Sequence, residues 1–98
     1  MNDEEVVKII NEALAEEFEL DLAAMTPDAH LVEDFELDSL DFVDMVIVLQ
    51  KAFNFKLRDE SAIREIRTLS DIHALVIKKK KEVESGEAEA IEQSSENK

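Results

Sequence analysis

The sequence predicts an all-α fold: a four-helix bundle with a long loop between helices 1 and 2 and a short third helix. Three observations lead there. The 98 residues include one glycine and one proline, too few turn residues for an all-β chain. Bulky apolar residues recur at helical spacing over three long stretches. Two of those stretches open on a capping-box pair, Asn2 with Glu5 and Thr68 with Asp71. A chain of this length can bury one modest core, so one domain is expected.

Helix 1 begins after Asn2 and carries Val6, Val7, Ile10, Leu14 and Phe18 on one side, with Glu12, Glu16 and Glu17 on the other. Beyond Leu22 the period fails. Thr26-Pro27-Asp28 stops any helix before it, because proline disfavours α geometry in the residue it follows. A long connection then runs to about Asp38, with Leu31, Phe35 and Leu37 turned inward as anchors that favour an ordered loop. Helix 2 spans residues 39–53, and Asp38 or Ser39 can cap it. Met45, Val46, Leu49 and Phe53 form its inward stripe, with Phe42 at the edge. Leu40, Val43 and Ile47 lie off that stripe. Full burial of such a helix is hard in so small a chain, so these three are expected to face a partner. Phe55 and Leu57 pack as the chain leaves helix 2. Residues 59–66 suit a short third helix with Ala62, Ile63 and Ile66 inward. Helix 4 follows Thr68 with Leu69, Ile72, Leu75 and Val76. The four lysines at 78–81 are expected to close it, where positive charge complements the helix dipole. Residues 1–84 thus form the helical domain. Residues 85–98, rich in Ser, Glu and Ala, are expected to be a disordered acidic tail.

Net charge is −14, and its layout narrows the function classes. Between Lys8 and Lys51 there is no lysine or arginine. That field opposes nucleic acid and anionic membranes, both of which need basic groups against phosphate. It favours encounters with basic protein surfaces instead. The longest apolar run, residues 45–49, is too short to span a bilayer. No secretory leader opens the sequence and there is no cysteine, so a monomer in the reducing cytoplasm is the expected state.

Catalysis has little to draw on. His30 and His73 lie far apart, only Gly86 is available for a phosphate loop, and no carboxylate pair is singled out. The chain is therefore expected not to be an enzyme. Asp34, Glu36 and Asp38 alternate as at the start of an EF-hand loop, but that loop's glycine and glutamate places hold Ser39 and Met45. No metal ligand set is expected. What remains is Asp38-Ser39-Leu40-Asp41, a serine at the start of an amphipathic helix after a long loop. Taken alone, Ser39 reads as a helix cap.

In register with this helix, charge pattern and length, that motif makes the chain resemble the acyl carrier protein family. The stretch carrying the likeness has a hydrophobic-acidic lead-in (Leu31, Glu33, Asp34, Phe35), the attachment motif, and an apolar series ending at Phe53. The helix order over residues 2–82 fits the same family. The resemblance implies an acyl-carrier-type bundle, and a phosphoprotein in which Ser39 is esterified with 4′-phosphopantetheine taken from coenzyme A by a phosphopantetheinyl transferase (holo-carrier synthase). It implies acyl cargo held as a thioester, sheltered between helices, with Met45, Val46, Leu49, Ile66 and Leu75 as candidates to line the shelter. It further implies that Asp38, Leu40, Asp41, Val43, Asp44 and Ile47 form a recognition face for that transferase and for acyl-transferring and acyl-modifying synthase enzymes.

The sequence departs from the family at three places. Phe35-Glu36-Leu37 stands where glycine is often found, Gln50-Lys51-Ala52 replaces an acidic run, and Arg58 replaces a common proline. The acidic face is thereby shortened to Asp38, Asp41 and Asp44, with Ile47 and Lys51 beside it. The expected function is an acyl carrier for fatty acid, lipid or polyketide synthesis, in a specialised route rather than a housekeeping one. The alternatives are an aminoacyl or D-alanyl carrier, and an unmodified acidic helical adaptor recognised through Leu40, Val43 and Ile47.

Overall fold

The computed structural model describes residues 2–58 and 60–85, and every structural statement below is of those residues. In chain order they form α1 (Asp3–Phe18), a 3₁₀ turn (Leu22–Ala24), α2 (Ser39–Phe53), α3 (Glu60–Arg64) and α4 (Leu69–Ser85). The four helices, the long gap between α1 and α2, and the short α3 agree with the fold read from the sequence.

Local chemistry sets each helix end. At α1, Asn2 Oδ1 accepts the Glu5 amide at 2.9 Å and Glu5 Oε1 accepts the Asn2 amide at 3.3 Å, which closes the anticipated box. At α4 the Thr68/Asp71 pair forms only half a box. Asp71 Oδ2 accepts the Arg67 and Thr68 amides at 2.9 and 3.0 Å, while the Thr68 hydroxyl turns to Ser70 Oγ instead. Those two amides hold the Asp71 carboxyl below the usual carboxylate range. α3 is shorter than the predicted 59–66. The Glu65 and Ile66 amides fold back onto Ala62 and Ile63 carbonyls in i→i+3 bonds, and the Arg67 guanidinium donates to the Arg64 and Ile66 carbonyls, capping its end.

α4 corrects one expectation. The four lysines do not close it, because the helix runs on to Ser85, one residue into the stretch read as tail. A Lys80–Glu84 ion pair at i,i+4 supports that extra turn. Residues 86–98 lie outside the described residues.

One core joins the elements. α1 packs against both α2 and α4, through buried Val6, Ile10, Leu14, Met45, Leu49, Leu69, Ile72 and Val76. Leu31 and Leu37 are also buried and Phe35 is half-buried, so the long loop is anchored as its sequence suggested. Backbone bonds hold it as well. Leu31 N–H donates to Arg67 O at 3.0 Å, Leu69 N–H to Ala29 O at 3.1 Å and Ser70 N–H to Pro27 O at 2.8 Å. The loop is thus stitched to the start of α4, and its far end delivers the chain to Asp38 in a fixed direction.

Candidate functional site

Ser39 is the first residue of α2, and it is exposed. Asp38, extended at φ −109° and ψ −173°, is the N-cap. Its Oδ1 accepts the Asp41 amide at 3.0 Å, and Asp41 Oδ2 accepts the Asp38 amide at 3.0 Å. The two aspartates of the motif are therefore each other's capping partners, a reciprocal box that the sequence reading, which named only the cap, did not anticipate. With the cap supplied by Asp38, the Ser39 hydroxyl has no capping task. It makes no hydrogen bond among the described residues. The serine stands at the positive end of the helix dipole, next to first-turn amides that no helical carbonyl can reach.

Ser39 opens onto two grooves separated by Phe42. The larger, about 460 Å³, runs between α2 and α3 and is walled by Phe42, Val46, Ile47, Leu57 and Ile63, with Arg64 at its rim. The other, about 430 Å³, lies toward the loop side, bounded by Val32, Leu37, Ile66 and Arg67. The residues named for a shelter in the sequence are distributed differently among these spaces. Met45 and Leu49 are fully buried in the closed core and line neither groove. Val46 lines the larger one and Ile66 the smaller. Leu75 borders a separate cavity of about 110 Å³ beside Ile63 and Lys78. Helical spacing located the inward residues but could not tell closed core from groove wall, since that depends on where the five-residue α3 comes to rest. Phe42 was legible only as an edge residue and Ile63 only as inward.

Along the outer face of α2, Leu40 is 75% exposed, Val43 57% and Ile47 42%. These three large apolar side chains share one face of α2 and are open to solvent, as the sequence suggested. Asp44 and Lys51 are exposed too. The six residues expected to form a recognition face thus divide. Leu40, Val43, Asp44 and Ile47 lie open to solvent, while Asp38 and Asp41 have one carboxylate oxygen each engaged in the cap.

Other candidate chemistry is accounted for locally. Asp34 Oδ2 accepts the His30 amide at 2.6 Å and Asp38 caps α2, so these carboxylates serve the backbone. Among the described residues, no three His, Cys, Asp or Glu side chains converge as a metal ligand set. His73 is buried, with Nε2 2.9 Å from Asn11 Oδ1 across the α1–α4 contact, and burial lowers its pKa. No described helix is long and apolar enough to cross a membrane.

Comparison with known proteins places this geometry. The profile of the family described as "Phosphopantetheine attachment site" matches residues 8–76. The chain is 36% identical over 72 residues to Acyl carrier protein 2 of Ralstonia nicotianae, an alignment covering 74% of this chain and 88% of that protein. It is 39% identical over 74 residues to the acyl carrier protein of Syntrophobacter fumaroxidans, covering 76% and 89% respectively. A similarity of 37% over 57 residues extends to Acyl carrier protein AcpXL of Rhizobium etli, over 58% of this chain and 62% of that one.

Proposed function

We propose, since the chain belongs to the acyl carrier protein family, that it carries acyl thioesters on a 4′-phosphopantetheine attached at Ser39 and presents them to synthase enzymes along α2. The family consists of carriers rather than enzymes, and its prosthetic group is a covalently held 4′-phosphopantetheine. When bound, that group supplies a terminal thiol on which the cargo is held as a thioester.

The observation that carries the assignment is the Ser39 hydroxyl: exposed, unbonded, at the tip of α2, and open to an apolar groove. The residues fit the group. A phosphodiester on Oγ is favoured by the positive end of α2 and its first-turn amides. Asp38 keeps the helix start in place while leaving Oγ available. No residue of this chain has to activate the hydroxyl, because its proton is removed by the transferase as the bond to the coenzyme A phosphate forms.

Phe42, Val46, Ile47 and Ile63 beside Ser39 favour an aliphatic acyl cargo over an aminoacyl one. Each methylene withdrawn from water into such a groove is worth about 0.8 kcal/mol, whereas an ammonium group would be desolvated there. The setting is fatty acid, lipid or polyketide synthesis, and the altered α2 face supports a specialised route with its own enzymes. Partners are the transferase and acyl-transferring and acyl-modifying enzymes, met through Asp38, Leu40, Asp41, Val43, Asp44 and Ile47. Incubation with coenzyme A and a broad-specificity transferase should add one phosphopantetheine by intact mass, and Ser39→Ala should add none. An unchanged wild-type mass would favour the unmodified adaptor.

A further inference from the structure

The outer face of α2 changes sign along its length. At 100° per residue, Leu40, Asp44, Ile47 and Lys51 fall within one narrow stripe of the helix. All four are exposed. From its N-terminal end the stripe therefore reads apolar, acidic, apolar, basic, with Asp38 adding a second acid ahead of the serine. Seven residues at 1.5 Å each set Asp44 and Lys51 about 10 Å apart along the axis, and thirteen set Asp38 and Lys51 about 20 Å apart, against a screening length of about 8 Å at physiological salt. A docking protein would meet the two ends as separate charges rather than as one averaged field.

The basic end is also shaped. Beyond Ile47, an open groove of about 370 Å³ is bordered by Ile47, Phe55, Lys51 and Lys56. Its amide neighbour Gln50 is engaged, with Oε1 accepting the Leu57 amide at 2.8 Å. This end thus sets the cationic Lys51 beside apolar Ile47 and Phe55.

We propose that α2 is read by charge at both ends. The partner enzyme surface carries basic side chains against Asp38 and Asp44, an apolar contact over Leu40, Val43 and Ile47, and an acidic side chain against Lys51. This rests on the carrier function proposed above and specifies its partners. The two-signed face fixes the direction in which a partner lies along the helix. It also disfavours enzymes whose docking patch is basic throughout, because such a patch sets like charge against Lys51.

The test uses the full chain and, as probe, a phosphopantetheinyl transferase whose α2-binding surface is basic over the whole helix. Modification is followed by intact mass at low and high salt for wild type, Lys51→Gln and Lys51→Glu. Lys51→Glu should raise kcat/KM about fivefold or more at low salt, with Lys51→Gln intermediate, and high salt should abolish most of the gain. Changing to glutamate the transferase basic residue facing position 51 should reverse the preference in favour of wild type. Equal kcat/KM for all three proteins, with phosphopantetheine added to each, would overturn the two-signed face while leaving the carrier function standing. No addition to wild type would instead remove the carrier function beneath it. A salt-sensitive dimer of the free protein, lost in Lys51→Glu, would overturn the proposal by making a second copy the occupant.

Discussion

Glu36 has φ 57°, in the left-handed region, two residues before the N-cap of α2. The sequence departs from its family near this place by lacking glycine, and the backbone has kept the conformation that glycine makes easy. For a residue with a Cβ that conformation costs about 1–2 kcal/mol, partly offset in any comparison by the greater freedom of glycine in the unfolded chain. Glu36 is exposed. Glu36→Gly should therefore stabilise the protein by about 0.5–1 kcal/mol, raising Tm by a few degrees in thermal unfolding. His73 sets a pH dependence. Burial lowers its folded pKa below 6.5, so as pH falls through that value the unfolded state takes up the proton first. Stability conferred by the neutral imidazole is complete above pH 6.5 and is lost as pH falls toward the folded pKa. Urea unfolding between pH 7 and 5 should show this decline, and His73→Leu should flatten it. Asp71, whose pKa is lowered by amide hydrogen bonds, acts in a separate window: its contribution is present above 3.8 and lost below.

At the scale of the element, α2 uses its aspartates for two tasks that substitution can separate. Asp38 and Asp41 bond each other's amides, whereas Asp44, one turn further on, faces solvent. Asp38→Ala should cost about 1 kcal/mol through loss of the cap. Asp38→Asn keeps an equally good cap and should leave stability near wild type. In the modification assay both variants, and Asp44→Asn, should slow the transferase more at low salt than at high salt, since all three remove docking charge. Asp38→Asn as unstable as Asp38→Ala would show that the carboxylate's charge at the helix dipole, not its hydrogen bond, holds the end of α2. The same helix shows what a sequence can convey about a site. A serine following aspartate, with apolar residues at helical spacing, locates the start of the helix and its inward stripe, and the exposed hydroxyl there is the proposed attachment point. The reciprocal Asp38–Asp41 bonds were not anticipated, although either Asp38 or Ser39 was expected to cap the helix.

For the molecule as a whole, what was legible followed from chain-local chemistry. Three long helices, the inward loop anchors Leu31 and Leu37, and the exposed trio Leu40, Val43 and Ile47 are all consequences of spacing and capping that a single segment displays. What was not legible depends on how segments meet. The stitching of residues 27–31 to the start of α4 pairs backbone groups about forty residues apart, and backbone amides leave no mark on side-chain patterns. The larger groove beside Phe42 is formed by α3 lying across from α2, and the smaller by the loop and the turn after α3. The burial of His73 follows from its facing Asn11 across two helices. α4 outran the lysines because an i,i+4 pair outweighed the reading of clustered charge as a stop. All of these features converge on one hydroxyl. Tandem mass spectrometry of the protein after reaction with coenzyme A and transferase tests that convergence most directly. The account predicts phosphopantetheine on the peptide bearing Ser39 and on none of the peptides bearing Ser61, Ser70, Ser85, Ser94 or Ser95; the group on any other serine, or on none, would contradict it.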